Sequence, residues 1–501
     1  MRNKSNPKTV IFASLVFITL ILLTACNKSH WDTVPQAPPV DVEALKSRLM
    51  LETEEDPNTQ TKISRGTFAV FEDCDAQKGR MIHLEVVILH ATGPDSKPDP
   101  VIPLAGGPGQ NATDYERIYE TSWMREERDI VLVSQRGTGG DNNLYCKLGA
   151  GDDNLQVYLD PLFTADNFLP CLEELKDKFN LTMYSTCHAA DDLNELRLAL
   201  GYYKINLNGV SYGTRAAFVY MRRHPETIRT AILNGVAPTT WENPLHHAPS
   251  AQEAIELLFA ECANDPDCQA AFPNLEEEFW AVIDRLEHEP ADVTVTHPVT
   301  NERITVKLHR EAFAESVRMM MYSWRTGRIL PSLIHQAFEE DYEKFAQYGV
   351  EANMGILKAL SLGMLLCVTC AEDLERITEE EIVEFTSKRY MGDGRVRRQK
   401  AVCDFWPKSD LPQNYGNPVS LDVPVLLLSG TLDPVTRPKF AEEAARHLPN
   451  SLHVIARGAH GVGGKCIESI KQQFLQAGSI DDLNVSCIDS IELPGFRVSQ
   501  K

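Results

Sequence analysis

The predicted fold rests on five residues, Gly209-Val210-Ser211-Tyr212-Gly213, which fit the pattern Gly-x-Ser-x-Gly. A short apolar run at 205–207 precedes them, and a run typical of a helix follows at 216–221. This order of strand, sharp turn and helix presents a serine hydroxyl above the edge of a sheet, and the flanking glycines allow the turn without a Cβ clash. We therefore expect Ser211 to be a catalytic nucleophile, with the backbone N–H of Tyr212 directed at the developing oxyanion.

Apolar runs typical of buried strands recur on both sides of this turn, at 67–71, 82–89, 101–104, 129–133, 205–207, 228–233, 423–428 and 451–455. Continuous apolar strands that alternate with amphipathic helices predict an α/β fold, with a mostly parallel sheet of eight strands covered by helices on both faces. Helical runs replace this alternation between about 241 and 404, apart from one hairpin at 293–306. The sequence thus predicts a helical cap inserted between two strands of the sheet.

Two further turns carry the residues that a serine nucleophile requires. A base must accept the serine proton, and an acid must orient the base. Asp433 lies in the turn after the strand at 423–428, and His460 follows the strand at 451–455. Because the carboxyl ends of parallel strands meet at one edge of a sheet, we expect Ser211, Asp433 and His460 to form a catalytic triad.

A glycine-rich turn supplies the second half of the expected oxyanion hole. The run Gly106-Gly107-Pro108-Gly109 follows the strand at 101–104, and glycines let a substrate carbonyl approach the bare backbone. We expect the N–H groups of Gly107 and Tyr212 to stabilise the oxyanion together.

These motifs resemble the proline iminopeptidase and tripeptidyl aminopeptidase family of α/β hydrolases, the TAP-like proteins of peptidase family S33. The resemblance is carried by residues 106–109, 135–139, 209–214, 430–436 and His460. It implies an α/β-hydrolase fold and a serine exopeptidase that releases single residues or short peptides from free N-termini through an acyl-enzyme. Two alternatives remain open: a carboxylesterase or lactone hydrolase with the same triad, and a non-catalytic lipoprotein that uses the fold for binding.

Specificity is left open by two departures from the family pattern and by the unidentified ammonium site. Ala105 stands where family members often have His, and Ser134 stands where they usually have Asp. Arg136 is either a buried structural ion-pair partner, the alternative we favour, or a substrate contact. An aminopeptidase must also bind the substrate ammonium, and cap carboxylates are suited to that task. Glu372 and Glu242 are the candidates.

The first 25 residues are typical of an export signal, with a basic start and an apolar run at 10–23. The run Leu23-Thr24-Ala25-Cys26 resembles the bacterial lipobox, which implies that Cys26 is lipidated and that the protein is anchored to the cell envelope, at the outer membrane if the source is Gram-negative. The expected organisation is a lipoprotein signal, a tether, a two-part hydrolase core and the cap, at 1–25, 26–64, 65–240 with 405–501, and 241–404.

Charge and cysteine content restrict the partners and the compartment. The net charge of −22 disfavours nucleic acid and anionic membrane surfaces, so we expect a small peptide substrate and membrane contact through the lipid only. Twelve cysteines indicate export and disulfide bonds. The pairs that sequence suggests without deciding are 262–268, 466–487, 171–187 and 370–403. No motif predicts a metal or a cofactor, and the oligomeric state stays open.

Overall fold

The computed structural model describes residues 41–57, 61–148 and 154–498. The predicted signal segment and Cys26 lie outside these residues and remain predictions. Residues 43–501 belong to one compact unit, and the fold described below is that of this unit.

The strands of the described residues form one nine-stranded sheet and one two-stranded hairpin. The order in the large sheet is β1-β2-β3-β5-β4-β6-β7-β10-β11. The strands from β5 to β11 in this order run parallel to one another, whereas the pairs β1–β2, β2–β3 and β3–β5 are antiparallel. The predicted α/β-hydrolase fold with a mostly parallel sheet is confirmed. The strands are β1 Leu49–Glu55, β2 Lys62–Phe71, β3 Met81–Leu89, β4 Lys97–Leu104, β5 Arg128–Val133, β6 Ile205–Val210, β7 Ile228–Asn234, β8 Ala291–Thr296, β9 Arg303–Leu308, β10 Val425–Gly430 and β11 Ser451–Ala456.

Helices cover the sheet and fill the segment between β7 and β10. They are α1 Val42–Ser47, α2 Glu116–Glu120, α3 Ala165–Lys176, α4 Thr186–Leu200, α5 Tyr212–Arg223, α6 His247–Asn264, α7 Pro266–Ala271, α8 Leu275–His288, α9 Arg310–Met320, α10 Trp324–Gly327, α11 Leu330–Phe338, α12 Glu343–Lys358, α13 Leu362–Thr369, α14 Glu379–Thr386, α15 Gly394–Cys403, α16 Pro438–Ala445 and α17 Lys465–Ala477.

The central strands are buried on both faces because successive side chains point to opposite sides of a sheet. In β10, Val425 and Leu427 belong to the hydrophobic cluster on one face, whereas Leu426 and Leu428 belong to the cluster on the other. All six residues of β10 are buried. This pattern explains why the strand reads as a continuous apolar run and not as an alternating one.

The segment between β7 and β10 has a hydrophobic cluster of its own. It contains helices α6 to α15 and the antiparallel hairpin β8–β9. Aromatic rings from several of its helices pack together, with Phe279 lying 5.5 Å from Phe259 and 6.0 Å from Phe313, centroid to centroid. The predicted helical cap, 241–404, lies within this segment, and its assignment as a separate cap stays a prediction.

The large sheet has nine strands and not the predicted eight. The additional strand is β1, which lies within the predicted tether. It pairs with β2 from Leu49↔Phe68 to Glu55↔Lys62. Gly66 of β2 makes this pairing possible, because a Cβ there would lie 1.9 Å from the carbonyl oxygen of Met50. Most of β1 is exposed, so its acidic sequence resembles a solvated linker although its backbone completes the sheet edge.

Four disulfides fit the predicted export. Three of the suggested pairs are present, and the suggested pair 171–187 is wrong, because Cys171 is bonded to Cys146 and Cys187 is a buried free thiol. The bonds join Cys146–Cys171, Cys262–Cys268, Cys370–Cys403 and Cys466–Cys487.

Across the three described ranges, we find no single helix that combines the length and the apolar character needed to cross a membrane. The segments Glu343–Lys358 and Leu362–Leu374 are long and apolar enough only when taken together, and the two are bent by 77° relative to each other.

Candidate active site

The serine predicted to be the nucleophile occupies a strained turn between strand and helix. β6 ends at Val210 and α5 begins one residue after Ser211, which has φ 56° and ψ −125°. Residues with a Cβ rarely adopt this conformation. The flanking glycines are needed for space: a Cβ on Gly209 would lie 2.5 Å from the carbonyl oxygen of Gly213, and a Cβ on Gly213 would lie 2.0 Å from a carbonyl oxygen at the end of β4.

His460, after β11, is hydrogen-bonded to Asp433, after β10: Nδ1 of His460 lies 2.9 Å from Oδ2 of Asp433. The Asp433 carboxylate is fully buried and also accepts 2.8 Å hydrogen bonds from the backbone N–H groups of Val435 and Thr436 and from the Thr436 hydroxyl. Burial alone would raise the pKa of Asp433, but His460 and these hydrogen bonds hold it below its ordinary value. Because an ionised carboxylate only accepts, Nδ1 of His460 must carry the proton and Nε2 is left as the basic nitrogen.

Asn234, the last residue of β7, connects the serine turn to the histidine loop. Its backbone carbonyl accepts a 2.9 Å hydrogen bond from the N–H of Ser211. Its side chain exchanges two hydrogen bonds, of 2.8 and 3.0 Å, with the backbone of Val462. A Cβ on the next residue, Gly235, would lie 3.4 Å from Cε1 of His460. Asn234 was not among the residues predicted from the sequence, although a polar residue directly after the apolar run at 231–233 was a usable signal.

Ser211, His460, Gly107 and Tyr212 all line one cavity of about 270 Å³. The glycine-rich turn lies against the serine, since a Cβ on Gly106 would be 3.3 Å from the Cβ of Ser211. Gly107 itself has φ 109°, which favours glycine. The structure therefore brings the predicted nucleophile, base and oxyanion-hole residues to the same space. The oxyanion-hole assignment of Gly107 and Tyr212 stays a prediction.

The two carboxylates suggested for the substrate ammonium do not line this cavity. Glu372 is fully buried behind Tyr212 and accepts hydrogen bonds from the N–H and hydroxyl of Thr186 and from the hydroxyl of Tyr415. Glu242 lies 3.5 Å from both His246 and Arg376. Both therefore act as local structural partners.

Other acidic side chains line the cavity instead, namely Glu311 and Glu315 of α9, together with Asp160. Arg318 donates a 3.1 Å hydrogen bond from Nε to Glu315 and a second, from Nη2, to the other carboxylate oxygen. Burial would raise the pKa of Glu315, but Arg318 and neighbouring arginines hold it below its ordinary value. The sequence indicated that these charges lie together, because residues 311, 315 and 318 share one side of the helix. It did not indicate whether that side meets water or a cavity.

Arg136 lies away from the cavity and has a structural environment. Its guanidinium is fully buried and donates to both carboxylate oxygens of Asp192, at 2.6 and 2.7 Å. It also donates to three backbone carbonyls. Such a fully bonded ion pair joins the turn after β5 to helix α4 and leaves no donor for a substrate.

One group of possible metal ligands, Cys74, Asp75 and His188, lies outside the cavity. Burial raises the pKa of the Cys74 thiol to about 12 and lowers that of His188 to about 4. A metal would have to displace the thiol proton at a high cost. Cys74 is partly exposed, Asp75 is exposed and His188 is buried, and we assign no metal to this cluster.

Comparisons with known proteins agree with this geometry. A family model described as "alpha/beta hydrolase fold" matches residues 100–271, and one described as "TAP-like protein" matches residues 388–487. Serine protease Hip1 of Mycobacterium tuberculosis is 23% identical over 538 aligned positions, which span 97% of this chain and 99% of the relative. The putative hydrolase YuaR of Escherichia coli is 20% identical over 76% of this chain and 79% of its own length. A proline iminopeptidase of Xylella fastidiosa is 26% identical over 27% of this chain and 32% of its own length.

Proposed function

Because this chain is an α/β hydrolase related to the TAP-like proteins, we propose that it is a serine exopeptidase that releases N-terminal residues or short peptides. The hydrolase class follows from the fold and the matched families. The exopeptidase specificity is our proposal, and it rests on the shape and the charges of the cavity.

The observation that carries the proposal is a capped cavity with the serine and the histidine in its lining. The other lining residues include cap side chains from α6, α9, α12 and α15. At about 270 Å³, the cavity lies near the small end of the range for ligand sites, which favours a short acyl portion over a long chain.

The proposed chemistry gives each of the predicted groups a role. Oγ of Ser211 attacks the acyl carbon while Nε2 of His460 takes the hydroxyl proton, and Asp433 stabilises the resulting imidazolium. The N–H groups of Gly107 and Tyr212 stabilise the tetrahedral oxyanion. His460 then protonates the leaving nitrogen as the C–N bond breaks. Water attacks the acyl-enzyme with His460 again as base, which releases the acid and restores Ser211.

Glu315 is our candidate for the substrate ammonium, in place of Glu372 and Glu242. It lines the cavity and is held ionised by arginines, so it can accept hydrogen bonds from an ammonium group. We expect Glu315→Gln to lower kcat/KM about 10-fold for free-amine peptides, the loss typical of one charge-assisted contact. N-acetylated peptides should be poor substrates of the wild-type enzyme and insensitive to the substitution.

The measurement is a fluorogenic release assay with free-amine and N-acetylated versions of prolyl, alanyl and Ala-Ala-Ala substrates, and with a p-nitrophenyl ester. Glu343→Gln is the matched control, because Glu343 is an exposed partner of Arg303 outside the cavity. Equal cleavage of acetylated and free peptides would refute the exopeptidase. Ester cleavage without peptide cleavage would favour the carboxylesterase alternative, which uses the same triad.

We also propose that the protein is exported and anchored through a lipid on Cys26. The basic start, the apolar run and the lipobox-like residues support this proposal, and the four disulfides support export. Full-length protein expressed in bacteria should partition into the detergent phase of Triton X-114, whereas Cys26→Ser should partition into the aqueous phase. Identical partitioning of the two proteins would overturn the lipid anchor.

A further inference from the structure

The cavity contains an arginine that lacks a carboxylate of its own. Arg395 of α15 lines the cavity, and its side chain is 23% exposed. Its Nε donates a 3.1 Å hydrogen bond to Gln399, and its guanidinium lies 4.3 Å from the ring centroid of Phe163. Its nearest carboxylate, Glu315, is 3.6 Å from Nη1, beyond hydrogen-bond distance. Among the described residues, the two terminal nitrogens of Arg395 therefore have no hydrogen-bond acceptor.

The other cavity arginines are compensated differently. Arg398 lies 2.8 Å from Glu311, Arg318 is bonded to Glu315, and Arg215 donates to both oxygens of Asp373 at 2.7 and 2.9 Å. Each of these pairs places one carboxylate against one guanidinium. Arg395, 3.6 Å from Glu315, is the one of these four arginines that has no hydrogen-bonded carboxylate among the described residues.

The electrostatics of Arg395 agree with this geometry. Burial lowers its pKa to about 10, and the attraction of Glu315 offsets only part of that effect. The group remains a cation at neutral pH, but it is a poorly solvated one. An anion that enters the cavity would remove this cost and form charge-assisted hydrogen bonds with both terminal nitrogens.

A second observation comes from four buried polar atoms that have no partner among the described residues: Arg215 Nε, Trp241 Nε1, Asn243 Oδ1 and His247 Nδ1. All four residues are more than nine-tenths buried and line the same cavity. Such atoms are costly when unsatisfied. Each of these four atoms has almost no exposed area, so they lie behind the surface of the cavity and make its wall polar without contacting a ligand.

We propose that the cavity contains a carboxylate-binding subsite centred on Arg395, and that the ligand it accepts is a short acidic peptide. The peptide carboxylate would accept hydrogen bonds from the two terminal nitrogens of Arg395. This inference rests on the proposed exopeptidase, and it adds a preference for acidic substrates that the net charge of −22 would not suggest.

The carboxylate has two possible sources, an Asp or Glu side chain or the free C-terminus of a short peptide. Calorimetric titration of the Ser211→Ala protein separates them without turnover. Ala-Ala-Glu amide against Ala-Ala-Gln amide tests the side chain, and Ala-Ala-Gln acid against Ala-Ala-Gln amide tests the C-terminus. We expect the acidic member of at least one pair to bind about 30-fold more tightly, the preference typical of a charge-assisted contact.

The added substitution Arg395→Gln should reduce that preference to about 3-fold or less, and Arg395→Lys should retain part of it, because the cation stays while the planar fork is lost. Arg397→Gln is the matched control, since Arg397 lies on the same helix but pairs with Glu379 and Asp393 outside the cavity. The unfolding temperature of each unliganded variant reports whether it is folded.

Two outcomes would overturn the subsite: equal binding of the acidic and neutral member in both pairs, or an acidic preference that survives in folded Arg395→Gln protein. Failure of the exopeptidase is a separate result. If the wild-type enzyme cleaves esters only, while acidic peptides still bind through Arg395, the subsite is supported and the proposed reaction is not.

Discussion

Ser211→Ala is expected to lower kcat on the order of 10⁵-fold while the protein stays folded, because alanine removes the attacking oxygen and leaves the binding cavity intact. The measurement is the release assay, together with covalent labelling by a fluorophosphonate probe, which the wild-type protein should show and the variant should lose. Ser469→Ala is the control, since Ser469 is exposed on α17 and does not line the cavity.

The strained backbone conformation of Ser211 allows a second test at this position, which measures stability. Its φ of 56° with ψ of −125° costs energy for any residue that has a Cβ, but not for glycine. Ser211→Gly should therefore be as inactive as Ser211→Ala and yet more stable, by about 1 kcal/mol in the free energy of unfolding. An active, folded Ser211→Ala enzyme would rule out the nucleophile. Absence of both labelling and turnover in the wild-type protein would instead favour the non-catalytic alternative.

Asp433→Asn is expected to lower kcat by about 10³- to 10⁴-fold. The reason is that the hydrogen bonds of Asp433 would fix the orientation of the asparagine amide. Oδ1 of Asp433 accepts from the N–H groups of Val435 and Thr436, while Oδ2 faces Nδ1 of His460 and the Thr436 hydroxyl. An asparagine that keeps its oxygen on the two backbone donors must turn its NH₂ towards His460. Nδ1 would then accept, and the ring proton would move to Nε2, which could no longer act as a base.

The control for this substitution is Asp422→Asn, because Asp422 is exposed just before β10. Stability should be followed by thermal unfolding, since the asparagine replaces an acceptor that is fully buried. A folded Asp433→Asn protein with wild-type kcat would remove Asp433 from the mechanism and would require another acid to orient His460.

Local sequence features predicted the hydrolase core well. The buried strands are continuous apolar runs because both faces of a parallel sheet are covered, and that pattern can be read from a single segment. The serine turn is equally local: Gly209 and Gly213 are needed because neighbouring carbonyl groups leave no space for a Cβ. The candidate residues Asp433 and His460 could be placed because each follows a strand of the same parallel sheet.

Features that depend on distant partners were not predictable in this way. The acidic appearance of β1 concealed an edge strand whose pairing requires Gly66. Cys171 could have bonded with any nearby cysteine, and only the packing of α3 against the segment before it selects Cys146.

The sequence by itself determined the fold and the order of the candidate catalytic residues, because strand periodicity and turn chemistry act over a few neighbouring positions. Only the tertiary structure decided which charges line the cavity. Glu372 is enclosed by Thr186 and Tyr415, whereas Glu315 and Arg395 line the cavity. The physical reason is that burial and pairing of a charged side chain are set by residues far away in the chain, and a helix such as α9 or α15 shows the same charged sequence whether that face meets water or a cavity.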